Sequence, residues 1–185
     1  QKHGCLKPRG CLMIEHRLIE RAIEILGVEK KRLEAGGELD PLFIDKVVDF
    51  IKTYADRTHH GKEEDILFES LEEKPLSGEE DRLMQELIEE HKRGRRLTGK
   101  LVTAKDAVVG GNREELSTVL EVMGELIDFY PQHIKKEDDT FFPDTERHYS
   151  KEELDKMLRE FYDFDMQMIH EKYQNTVAAM ESESS

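Results

Sequence analysis

Residues 11–26 read CLMIEHRLIERAIEIL. Leu12, His16, Ile19, Ile23 and Leu26 follow one another at steps of four, three, four and three. That is the period of one buried helix face, so the stretch predicts an amphipathic α-helix with a histidine set inside its apolar stripe. Two other stretches repeat the arrangement: Met84, Leu87, Ile88 and His91, and then Met166, His170, Tyr173, Val177 and Met180. A lone histidine in such a stripe is ordinarily a core residue whose ring nitrogens find a carbonyl. Three of them on separate helices ask for a shared explanation.

Working outward, the chain punctuates itself into five helices. The first follows Pro8 and Gly10 and stops at Gly36–Gly37. Asp40–Pro41 opens the second, with a capping side chain ahead of a proline at the first helical position, and it runs to about Glu73. The capping box Ser77–Gly78–Glu79–Glu80 opens the third, which ends at Gly110–Gly111. Asn112 caps the fourth, with Pro131 as a kink point and Pro143 as its stop after Phe142. Ser150–Lys151–Glu152–Glu153 is a second capping box and opens the last. No alternating strand pattern competes, and long helices joined by short loops pack antiparallel. The reading is therefore all-α and a single domain over 1–185, with residues 1–10 a short leading segment and 181–185 a frayed tail.

Asp and Glu number 42 against 28 Lys and Arg, a formal charge of −14. Such a field repels phosphate backbones and anionic membrane surfaces, which argues against nucleic-acid and membrane partners and favours the capture of cations. No apolar run approaches the ~20 residues of a bilayer span, and no signal-peptide core is visible, so the expected compartment is cytoplasmic. Cys5 and Cys11 fit no zinc spacing and are read as reduced thiols near the terminus.

The second and fourth helices carry the chemistry. His60 and Glu64 stand four apart, as do His133 and Glu137. On an α-helix that spacing turns an imidazole and a carboxylate toward the same neighbour, a donor pair suited to a transition metal. A single instance equally describes a surface ion pair. Two instances, facing three stripe histidines, describe a metal site in a bundle core, because inward carboxylates need a compensating charge. His59 and Glu63 form a competing pair at the same spacing. From His60 the positions Glu64, Leu67, Phe68 and Leu71 continue a helical face, whereas Phe43, Val47, Phe50 and Tyr54 upstream favour neither pair.

The segments Ile14–Leu18, His59–Phe68, Glu90–His91 and His133–Asp138 resemble the hemerythrin-like, histidine-histidine-glutamate cation-binding domains, and the resemblance covers nearly the whole chain. It implies the up-down-up-down antiparallel four-helix bundle that myohemerythrin shows, here with an additional C-terminal fifth helix. It also implies two non-haem iron ions, oxo- or hydroxo-bridged, held by five histidines and two bridging carboxylates, with one open position. Carried over by position, the metal ligands are His16, His60, Glu64, His91, His133, Glu137 and His170. Arg95 stands where the oxygen carriers place a second histidine on the third helix, so the fifth imidazole is assigned to His170. Asp138 occupies the place of the carriers' aspartate, but Glu137 repeats the four-residue spacing and is preferred. His59 is then second to the metal or solvent-facing, His148 belongs to a loop, and His3 is a solvent-exposed terminal residue. The implied function is binding of molecular oxygen, as carrier or sensor. The alternatives are a redox enzyme acting on peroxide or nitric oxide, with Tyr54, Tyr130 and Tyr173 as candidate redox residues, and iron storage or delivery.

Overall fold

A computed structural model describes residues 5–183, and His3 lies outside them. Helix α1 spans Pro8–Glu34. Helix α2 runs without a break over residues 41–71, Asp40 accepting from the amides of Leu42 and Phe43 at 3.1 and 3.2 Å. Helix α3 spans Gly78–Val109, and α4 covers residues 116–146 after a single 3-10 turn at Arg113–Glu115. Helix α5 spans Lys151–Glu183. Gly36 and Gly111 take positive φ, 92° and 104°, just past the ends of α1 and α3, where a side chain would be strained.

The first four helices form an antiparallel ring in which α4 packs against both α1 and α3, while α2 packs against α1 and α3. Two apolar clusters fill it. One gathers Ile19, Ile23, Leu97, Leu101, Leu126 and Tyr130, and the other Leu12, Leu67, Leu87, Phe141, Phe142 and Phe161. Between them lies a polar layer. On α1 it falls at His16, between Leu12 and Ile19, and on α3 at His91, between Leu87 and Leu97.

The third helix starts on the capping box read from sequence: the Glu80 amide donates to Ser77 Oγ at 3.1 Å and the Ser77 amide to Glu80 Oε2 at 2.8 Å. Glu80 also accepts from Arg147 at 2.8 Å and meets His148 Nε2 at 2.9 Å, so one carboxylate ties the start of α3 to the end of α4.

Three features depart from the sequence reading. Helix α4 does not stop at Phe142 but continues to Glu146, because the wider π-helical turn at Glu137–Phe141 accommodates Pro143, which offers no N–H and crowds the preceding turn. Cys5 and Cys11 are not free thiols: they form a disulfide, with Cα atoms 5.2 Å apart across the entry to α1. The amide of Cys11 donates to the Lys7 carbonyl at 3.2 Å, the first hydrogen bond of the helix.

The third departure is the phase of α5. Its inward stripe is Leu154, Met157, Phe161, Phe164 and Met168, at steps of three, four, three and four. Met166, His170, Tyr173, Val177 and Met180 face outward. Both stripes have helical spacing. The one that packs is the one whose N-terminal half meets the second apolar cluster, through Met157 and Phe161. Helix α5 lies outside the ring, against α1 and α2. It approaches closely at Gly61, where a Cβ would come within 2.7 Å of Phe164 Cζ. Gly61→Val is therefore expected to push Phe164 off α2 and cost about 1–3 kcal/mol, as overpacking does. Thermal melting would show the loss, with faster amide exchange concentrated in residues 151–171. An unchanged melt would mean that α5 is not held at this contact.

Candidate metal centre

Helix α2 departs from α-helical winding at the residues that matter. Ile51–His60 and Glu63–Phe68 are π-helical, with wider turns than an α-helix. The widened winding changes which residues face inward, and His59 and His60 are both buried, at 1% and 2% exposure. Glu63 is fully buried, whereas Glu64 is turned to the rim.

Two donor groups result. His60, Glu63, His91 and His133 form one, and His16, His59, Glu63 and Glu137 the other, each with its atoms within 4.8 Å of one another. Glu63 belongs to both. Its Oε1 lies 3.0 Å from His59 Nε2 and its Oε2 lies 3.1 Å from His91 Nε2. Glu137 spans them in the same way, with Oε2 2.9 Å from His16 Nε2 and Oε1 3.1 Å from His133 Nε2. These contacts are near but not aligned as hydrogen bonds. His16 Nε2, His59 Nε2, His91 Nε2, His133 Nε2 and all four oxygens of Glu63 and Glu137 are buried without a hydrogen-bond partner. Buried polar atoms are rarely left so, and a convergent set of nitrogen and carboxylate donors without protons to share is what a cation satisfies. The residues fit a pair of metal ions.

Behind the inner donors stands a second layer. His16 Nδ1 meets Asp138 at 2.7 Å, His59 Nδ1 meets Glu15 at 2.8 Å, His60 Nδ1 meets Asp56 at 3.2 Å and His133 Nδ1 meets Glu90 at 2.9 Å. His91 Nδ1 faces Glu64 at the longer distance of 3.7 Å. Each carboxylate is backed by a cation: Arg17 behind Asp138, Lys62 behind Glu15, Lys136 behind Glu90, and Arg95 behind both Asp56 and Glu64. Carboxylates placed this way fix the ring orientation and tautomer and leave each Nε2 lone pair facing inward.

Of the residues singled out by sequence, His16, His60, His91, His133 and Glu137 come together. Glu64 does not join them: it lies in the second layer, bound by Arg95. His170 is exposed on the outer face of α5, away from the centre. Their places in the inner set are taken by Glu63 and His59. Asp138 also stands in the second layer. Tyr173 is exposed, whereas Tyr130 is buried.

The electrostatics without metal have a definite sign. Burial pushes the His59 imidazole down, but the charge of Glu63 and the hydrogen bond to Glu15 outweigh it and lift it to about 10. His133 is likewise lowered by burial and lifted, by the charge of Glu137 and the bond to Glu90, to about 9. His60 is pushed down to about 3 by burial and by His91 beside it. For His59 and His133 the folded value exceeds the unfolded one near 6.5, so their contribution to stability is full below pH 6.5, declines above it and is gone past about pH 10. The metal-free protein is expected to lose stability across that window, read as a falling urea midpoint. With metal on the nitrogens there is no proton to lose, and the midpoint should stay level. Equal pH profiles with and without metal would contradict this.

The hemerythrin HHE cation-binding domain model matches residues 11–145 and 85–172. The chain belongs to that family. Other relatives of this hemerythrin-like chain are proteins of Mycobacterium bovis and Mycobacterium tuberculosis described only as uncharacterized, 26% identical over 152 residues, or 82% of this chain. The match spans 58% of the length of those relatives. No solved structure matches it significantly. None of the helices is long and apolar enough to cross a membrane among the described residues.

Proposed function

We propose that this hemerythrin-like chain binds two iron ions, one at each donor group, and through them binds molecular oxygen as a carrier or sensor. The observation that supports this most directly is the sharing of Glu63 between a group with three imidazoles and a group with two. Five imidazoles and two bridging carboxylates suit a pair of six-coordinate ions and leave the two-histidine ion with fewer protein donors. When bound, such iron supplies the electrons that a small diatomic ligand needs for reversible attachment.

The chain's own residues do the rest. His16, His59, His60, His91 and His133 would hold the metals through ring nitrogens, and Glu63 and Glu137 would supply carboxylate charge to both. Phe142 stacks on His16 at 5.7 Å and Phe68 on His91 at 5.8 Å, which keeps water from the histidine faces. The test is an optical spectrum of reduced, iron-loaded protein before air, after air and after oxygen is removed again. A charge-transfer band that appears and then reverses supports oxygen binding. Irreversible oxidation together with turnover of added peroxide would instead favour a redox enzyme.

A further inference from the structure

Helix α5 spans Lys151–Glu183, and only its first part is held by the bundle. Leu154, Met157, Phe161, Phe164 and Met168 turn inward, whereas every residue from Lys172 to Ser182 is exposed. The opposite face carries Tyr162, Met166, Ile169, Tyr173 and Val177, each between 44 and 64% exposed, at steps of four, three, four and four. That face is about 23 Å long. Residues 173–180, YQNTVAAM, are the longest charge-free run in a chain of which 38% is charged. An exposed apolar row from which charge is withdrawn has the character of an interface centre. The exposed apolar residues of α1 differ, since Ile14, Leu18, Ile25 and Val28 stand among Arg17, Arg21, Glu24 and Glu29.

The charges flanking the α5 face select its occupant. Ahead of Ile169 they are acidic, Asp163 and Asp165. After it they are His170 and Lys172, while Glu171 is turned to Arg57 of α2. Asp165 lies 2.7 Å from Lys62, yet its side chain is 40% exposed and still reaches the outer face. Two copies of α5 laid parallel would set like charges side by side. Laid antiparallel, Met166 meets Ile169 of the second copy and Tyr162 meets its Tyr173. Asp163 then runs beside the second copy's His170 along one edge, and Asp165 beside its Lys172 along the other, the kind of flanking charge that sets helix orientation. A two-fold axis near residues 167–168 makes every such contact twice.

We propose that the outer face of α5 is a self-recognition surface, on which α5 of a second copy of this chain packs antiparallel. None of its residues belongs to either donor group, so the surface is independent of the metal reading. Sedimentation velocity of the full chain across the micromolar range, metal-free and iron-loaded, provides the test. A species of twice the 21.6 kDa chain is expected in both forms. Ile169→Glu puts a charge at the centre of the face, on a side chain already 50% exposed, and should weaken the dimer about a hundredfold. His170→Glu and Lys172→Glu should each weaken it about fivefold, and adding Asp163→Lys to His170→Glu should restore it. Ile25→Glu, on the exposed row of α1, should leave it unchanged.

Circular dichroism checks the fold of Ile169→Glu. Should that variant fail to fold, the charge variants, at exposed positions, still decide the matter. A chain that stays monomeric throughout, a dimer indifferent to Ile169→Glu, or one lost in Ile25→Glu instead would overturn the proposal. A dimer that Asp163→Lys does not restore in His170→Glu would overturn the antiparallel pairing.

Discussion

Glu63→Ala is expected to leave the chain unable to hold its metal pair. Both oxygens of Glu63 face donor nitrogens, one in each group, and among the described residues only Glu137 reaches both groups likewise. Its removal deprives each ion of a ligand and of half of the bridging charge, so metal content should fall from about two ions to one or none per chain. Glu64→Ala, one residue along, should keep both ions. It removes only the carboxylate that Arg95 presents to His91, a loss on the order of 10–100-fold in metal affinity. His59→Ala and His170→Ala form a parallel pair, with metal lost in the first and unchanged in the second. Retention of two ions by Glu63→Ala, alongside their loss from Glu64→Ala, would mean that α2 is wound as an α-helix in solution.

The second large effect is expected at Lys62. This lysine is fully buried, donates to Glu15, lies 2.7 Å from Asp165 of α5 and sits 5.8 Å from the Phe161 ring centre. Replacing it with methionine keeps the volume and removes the charge. Glu15, with its side chain 12% exposed, is then left without its cation and against a single histidine. Removing one partner from a buried pair costs about 3–5 kcal/mol; the lower end is expected here because the Asp165 side chain is 40% exposed. For a chain of this size that is about 6–12 °C in melting temperature. Lys62→Arg should recover part of the loss. A melt within a degree or two of the unaltered protein would show that the Glu15–Lys62–Asp165 link between α1, α2 and α5 carries little of the stability.

The fold was largely legible because its signals are local and repeated. Asp40, the Ser77–Glu80 and Ser150–Glu153 boxes, Gly36 and Gly111 mark helix ends by rules that need no tertiary information, and the stripes through His16 and His91 fix which faces turn inward. The centre was legible only where the helix keeps an α-helical period. His133 and Glu137 sit at the end of regular winding in α4 and point inward together. On α2 the same rule selects His60 with Glu64, but π-helical turns widen the winding, so His59 and His60 are both buried and Glu63 replaces Glu64. The adjacent histidines and the competing His59–Glu63 pair were the only traces of this in the sequence.

Helix α5 misled for a different reason. It carries two apolar stripes of equal period, and only contact with the bundle distinguishes them. The stripe with the histidine is the one left outside. The phenylalanine stripe, by contrast, had a companion in Gly61, whose missing side chain admits Phe164. The second layer of carboxylates and cations was also invisible in the sequence. Glu15, Asp56 and Glu90 look like ordinary solvated residues on charged helices until the ring nitrogens they face are placed.

Native mass spectrometry of the full chain, expressed with ample iron and kept under conditions that preserve bound metal, tests the central claim most directly. The geometry predicts a mass corresponding to two iron ions per chain, one for each donor group around Glu63 and Glu137. A single ion per chain, or zinc bound to the exclusion of iron, would contradict it.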